Sequence, residues 1–148
     1  MAVKNYPVGT HFSGPIKLGT KSMLLSTDLG GISAAATLTA DESNGMTYIL
    51  DGGTGVGITL PAPTKGWRCK FVIGAAFSTD FVFTAGTADT FEGCVIEAGA
   101  VQDVDAADTI TLEDGAENIG DWIEFWSDGN KTYAYGNFLT ANSVTPAG

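Results

Sequence analysis

The chain has 148 residues, of which 44% are hydrophobic and 16% charged, and its net charge is −10. That length and balance fit one domain with a core of its own and exclude a disordered chain. The acidity argues against nucleic acid as a partner, because phosphate binding needs a basic surface, and no run approaches the ~20 apolar residues of a membrane-spanning helix.

Residues 1–27 hold Lys4, Lys17 and Lys21 and no acid, whereas residues 28–148 hold four bases against seventeen acids, a net of −13. Pro7, Gly9, Gly14, Pro15 and Gly19 interrupt every candidate element in the first stretch. It nevertheless carries Tyr6, Val8, Phe12, Ile16 and Leu18, apolar side chains that need cover. An irregular N-terminal arm is therefore expected over residues 1–27, wrapped on its own domain or laid along a partner surface. It contains no continuous apolar segment of the kind a signal peptide needs, so synthesis in the cytoplasm is expected.

Residues 28–148 read as a β-rich body. Gly30-Gly31 marks a joint, Ala36–Leu38 fits a strand, and Asp41–Gly45 fits a turn whose strongest part is Asn-Gly. Thr47–Leu50 alternates with period two, and Asp51–Gly55 supplies residues that let the chain reverse. Ile58 and Leu60 resume the alternation, and Pro61 and Pro63 stop it. Beyond Lys65-Gly66, Cys69, Phe71 and Ile73 share one face of a strand and Arg68, Lys70 and Val72 the other. Residues 47–73 thus predict a three-stranded meander.

Strands are predicted next at Phe81–Ala85, at Phe91–Ile96 with a bulge at Gly93, and at Thr109–Glu113. The small and acidic residues from Ala98 to Ala107 read as a loop. Gly120–Phe138 is the clearest hairpin, turning at Ser127-Asp128-Gly129-Asn130, with Ile123 and Phe125 on one face and Trp122, Glu124 and Trp126 on the other. Ala141–Gly148 reads as a loose tail. About eight short antiparallel strands at this spacing give an all-β fold, a single β-sandwich or barrel-like domain following the arm.

No acid, base or nucleophile stands in a catalytic setting, so no enzyme activity and no cofactor are expected. His11 sits in the arm beside Phe12, away from any nucleophile. Asp103, Asp105 and Asp108 offer oxygen ligands of the kind calcium takes, yet lack the EF-hand glycine and glutamate; a solvated acidic loop is the plainer reading. Asp121 and Glu124 show no spacing that points to a glycosidase pair. Cys69 and Cys94 both fall at core-facing parity, as free thiols or, if their strands are adjacent, as a disulfide. Trp67, Trp122 and Trp126 are candidates for an interface or a sugar-stacking platform, or for burial on a two-sided strand.

The segments TADESNGMTYIL (39–50) with ITLPAPTKGWRCKFVI (58–73), and GDWIEFWSDGNKTYAYGNF (120–138), cover about a third of the chain. They resemble patterns in virion proteins of tailed bacteriophages, above all capsid decoration (cement) proteins, with related hairpins in head and tail fibres. The resemblance implies a homotrimer on the capsid exterior, at threefold or quasi-threefold sites, bridging subunits of the major capsid protein. Tyr6, His11, Phe12, Ile16 and Leu18 of the arm would then supply capsid contacts. The alternative is a glycan- or receptor-binding module of a phage head or tail fibre.

Overall fold

The computed structural model describes residues 16–18, 21–23, 31–32, 34–50, 55–88 and 91–148. Within the arm, β1 (Ile16–Leu18) and β2 (Lys21–Met23) pair antiparallel as a short two-stranded sheet, a local order that the Pro and Gly interruptions concealed. Tyr6, His11 and Phe12 lie outside the described residues.

The body is an all-β sandwich of a seven-stranded and a five-stranded sheet. Its first half alternates between the layers. β3 (Gly31–Ile32), β5 (Thr47–Leu50) and β7 (Arg68–Ile73) lie side by side and parallel in the large sheet. β4 (Ala36–Thr37), β6 (Gly57–Thr59) and β8 (Phe81–Thr84) do the same in the small sheet. The expected meander over residues 47–73 is therefore corrected. β5 and β6 belong to different sheets and do not pair as a hairpin, and the expected turn at residues 51–54 lies outside the described residues. The sheets are mixed, not wholly antiparallel, because each crossing returns the chain to its starting layer in the same direction.

The second half closes the sandwich. β9 (Phe91–Glu97) and β10 (Ala100–Ala107) form a hairpin through Ala98 and Gly99, both at positive φ. β11 (Thr109–Leu112) joins β8 in the small sheet. β12 (Trp122–Ser127) and β13 (Thr132–Phe138) form the predicted terminal hairpin, and it fills the middle of the large sheet: β12 pairs with β7, and β13 pairs in parallel with β9. β14 (Val144–Ala147) pairs with β11, so the expected loose tail is the edge strand of the small sheet. Likewise the expected loop at 98–107 is mostly β10, the edge of the large sheet.

An aromatic cluster holds the layers together. Phe83 of the small sheet meets Phe71 at 4.7 Å and Phe125 at 5.0 Å between ring centroids, and Phe125 also reaches Phe91 at 5.5 Å. All four rings are buried. One helical turn, α1 (Ala40–Ser43), stands where a simple turn was expected. Thr39 caps it, accepting from the Glu42 N–H while its hydroxyl donates to the Glu42 carboxylate at 2.8 Å. The Thr-x-x-Glu spacing is that of a capping box, with the Glu42 carboxylate held by the Thr39 hydroxyl.

Gly93 tests how tightly the central strands are packed. Its φ is +117°, and a Cβ there would lie 2.4 Å from the Ala134 carbonyl oxygen, whereas Gly99 (φ +83°) opens on space. Gly93→Ala should cost about 3 kcal/mol or more in denaturant unfolding, and Gly99→Ala about 1 kcal/mol, the backbone strain alone. Equal losses would show that the close approach of β9 to β13 is not felt.

Candidate functional site

Because side chains alternate along a strand, the residues between the core positions all emerge on the outer face of the large sheet. Register aligns them in three rows. The first runs Asp105, Glu92, Tyr133, Trp126, Arg68 from β10 to β7. The second runs Asp103, Cys94, Tyr135, Glu124, Lys70. The third runs Val101, Ile96, Asn137, Trp122, Val72 and on to Ile49 of β5.

This face is rich in exposed apolar surface. Val101 is 72% exposed, and Ile96, Trp126 and Tyr135 are also among the large exposed hydrophobics, as is Leu139 just past β13. Trp126 and Tyr133 stack across the hairpin, with centroids 4.3 Å apart and planes at 19°. The Lys70 ammonium stands 4.0 Å from the centre of the Trp122 ring, a diagonal cross-strand cation–π contact. Lys131 and Glu92 form an ion pair at 2.8 Å.

The hairpin turn orders the first row. Asp128 accepts from the Asn130 and Lys131 N–H groups at 2.7 and 2.9 Å and from the Tyr133 hydroxyl at 3.2 Å. These donors, the Lys131 N–H first, hold the Asp128 carboxyl below its ordinary range. The Ser127 hydroxyl, buried beneath, donates to the Lys131 carbonyl at 2.7 Å and accepts from the Gly129 N–H.

The candidate residues fall in different places. Trp122 and Trp126 share the outer face, but Trp67 is only 2% exposed; it belongs to the core and not to a platform. Its indole N–H donates to the Ser43 hydroxyl at 2.9 Å, and that hydroxyl donates to the Thr39 carbonyl, so Trp67 clamps α1 to the sandwich. Asp103 and Asp105 stand on the outer face of β10, and Asp108 follows that strand. Among the described residues no group of three or more His, Cys, Asp or Glu side chains is gathered to hold a metal. Cys94 is half-buried on the outer face, which corrects its expected core-facing parity, while Cys69 is buried; both are free thiols. Burial, then Glu124, pushes the Cys69 thiol well up, so it stays protonated and unreactive.

Asp121 is buried at the foot of β12, accepting from the Asn118 and Leu139 N–H groups, and Glu124 stands on the outer face; the two share no cleft. A shallow, open depression of about 170 Å³ lies beside Glu124 and is lined by Arg68, Lys70 and Cys69 among others, with Glu124 its one carboxylate. Such a set offers contact and charge of both signs. The clustering of rings on one face was legible from the 122/124/126 alternation; Val101 was missed because its strand reads as an acidic loop. No helix among the described residues is long and apolar enough to cross a membrane. Compared with protein-family models, curated proteins and solved structures, the chain matches none.

The Asp128 turn predicts a pH signature. Its carboxyl is depressed in the folded chain, so its contribution is complete above the ordinary aspartate value and is lost as pH falls through the lowered one. Asp128→Asn should therefore lower the melting temperature near neutrality and converge on the parent in strong acid. A gap between the two that is constant with pH would remove the charged turn from the account.

Proposed function

We propose that this chain is a non-enzymatic structural protein of a virion, decorating the outside of a phage capsid as a trimer at threefold or quasi-threefold sites. The observation that carries the proposal is the apolar and aromatic outer face of the large sheet. A lone soluble domain rarely leaves Val101, Ile96, Trp126, Tyr135 and Leu139 together in water, and such patches mark contact surfaces. The resemblance of residues 39–50, 58–73 and 120–138 to decoration proteins names the kind of assembly.

The mechanism is mass action. A protein that binds only the assembled lattice stabilises it by RT ln(1 + [L]/Kd), with [L] its free concentration. Threefold symmetry joins three weak arm contacts into one tight attachment. Ile16 and Leu18 lie in β1 of that arm. The glycan-binding alternative draws on the same rings, but Tyr133 already covers one face of Trp126 and Lys70 stands over Trp122, which leaves less ring face for a sugar.

The test is co-sedimentation of the purified full chain with expanded capsids that lack it. Bound protein and a raised capsid-opening temperature are expected, and removal of residues 1–27 should abolish binding while leaving the body folded. Protein that stays in the supernatant, but whose tryptophan emission shifts on titration with oligosaccharides, would overturn decoration in favour of glycan binding.

A further inference from the structure

We propose that the outer face of the large sheet is a self-association surface, on which the acidic β10 edge of one copy docks against the basic β7 stripe of the next. The junction stands on the charge layout of the face; only its count of three rests on the function proposed above.

The body has four bases, Lys65, Arg68, Lys70 and Lys131. Lys131 is committed to Glu92. Arg68 and Lys70 both emerge on the outer face of β7, with Lys65 in the turn before it. In a body this acidic, bases gathered on one strand polarise the sheet. The first row starts with Asp105 and ends with Arg68, and the second starts with Asp103 and ends with Lys70. Between these ends stand the rings of Tyr133, Trp126 and Tyr135, with Glu92 next to Asp105, Cys94 next to Asp103 and Glu124 next to Lys70, while the third row is apolar save for Asn137.

Rotation about an axis parallel to the strands carries β10 of one copy across β7 of its neighbour and keeps each row at its own height. Asp105 then meets Arg68, Asp103 meets Lys70, and Val101 and Ile96 meet Val72 and Trp122. Rotation about an axis across the strands would instead set Asp103 and Asp105 against their own copies, which like-charge repulsion opposes. Charge thus selects the axis, and the exposed apolar row supplies the area that must leave water.

The experiment is light scattering and sedimentation of the full chain at low salt, with four variants. Asp103→Lys with Asp105→Lys, and separately Arg68→Glu with Lys70→Glu, should each raise the dissociation constant by about tenfold or more. All four substitutions together restore opposite charges at the junction and should restore assembly, while the milder Asp103→Asn with Asp105→Asn should weaken it less; circular dichroism checks folding. A parent chain that stays monomeric, double variants that keep the parent's affinity, or a fourfold variant that fails to reassemble overturns the proposal. A parent of two copies that obeys the charge swaps supports the junction and overturns the threefold reading. Assembly as three copies without capsid binding supports the junction and overturns decoration.

Discussion

The structure depends on strand parity around one aromatic cluster. Phe71, Phe125 and Phe91 must point inward to reach Phe83 across the core. Because a strand's side chains alternate, a slip of one residue would send those rings into water and bring Lys70, Glu124 and Glu92 into the core. Burial of such rings is worth several kcal/mol each, far more than any single exposed contact opposes. The core therefore dictates what the outside shows. Every residue of the outer rows stands where it does because its neighbours are needed within.

The same parity explains what the sequence made legible. Alternation at 47–50, 68–73, 109–112 and 122–127 marks strands and their inward faces correctly, and it alone is enough to set Trp122 and Trp126 on the outer face. Alternation does not say which sheet a strand joins. Asp51–Gly55 has the residues of a hairpin turn, yet β5 and β6 part company across the core, because parallel partners are chosen by packing far along the chain. The central place of β12 and β13 was hidden for the same reason.

Two of the strands the sequence concealed, β10 and β14, are sheet edges. Edge strands are under opposite pressure from central ones: charge and proline protect their open backbone from stray pairing. β10 carries Asp103 and Asp105, and β14 carries Pro146 opposite Ile110. Features that block aggregation are the features that make a segment read as a loop. The inward side chains of β10, Val104 and Ala107, are too few and too small to restore the pattern.

Trp126 and Tyr133 are the residues on which the proposed preference for a protein partner over a sugar rests. Rings stacked across two strands have their adjoining faces occupied by each other, here at 4.3 Å. Sugars are held by ring faces lying open; flat protein surfaces are held by edges, aliphatic groups and charge spread over many contacts. Fixing Tyr133 through its hydroxyl on Asp128, and Trp122 under Lys70, also removes rotamer freedom in advance of docking. A surface already ordered in this way would lose less entropy if a partner bound it. That advantage comes from the hairpin itself, whose inward residues hold the sandwich closed while its outward residues form the centre of the exposed face.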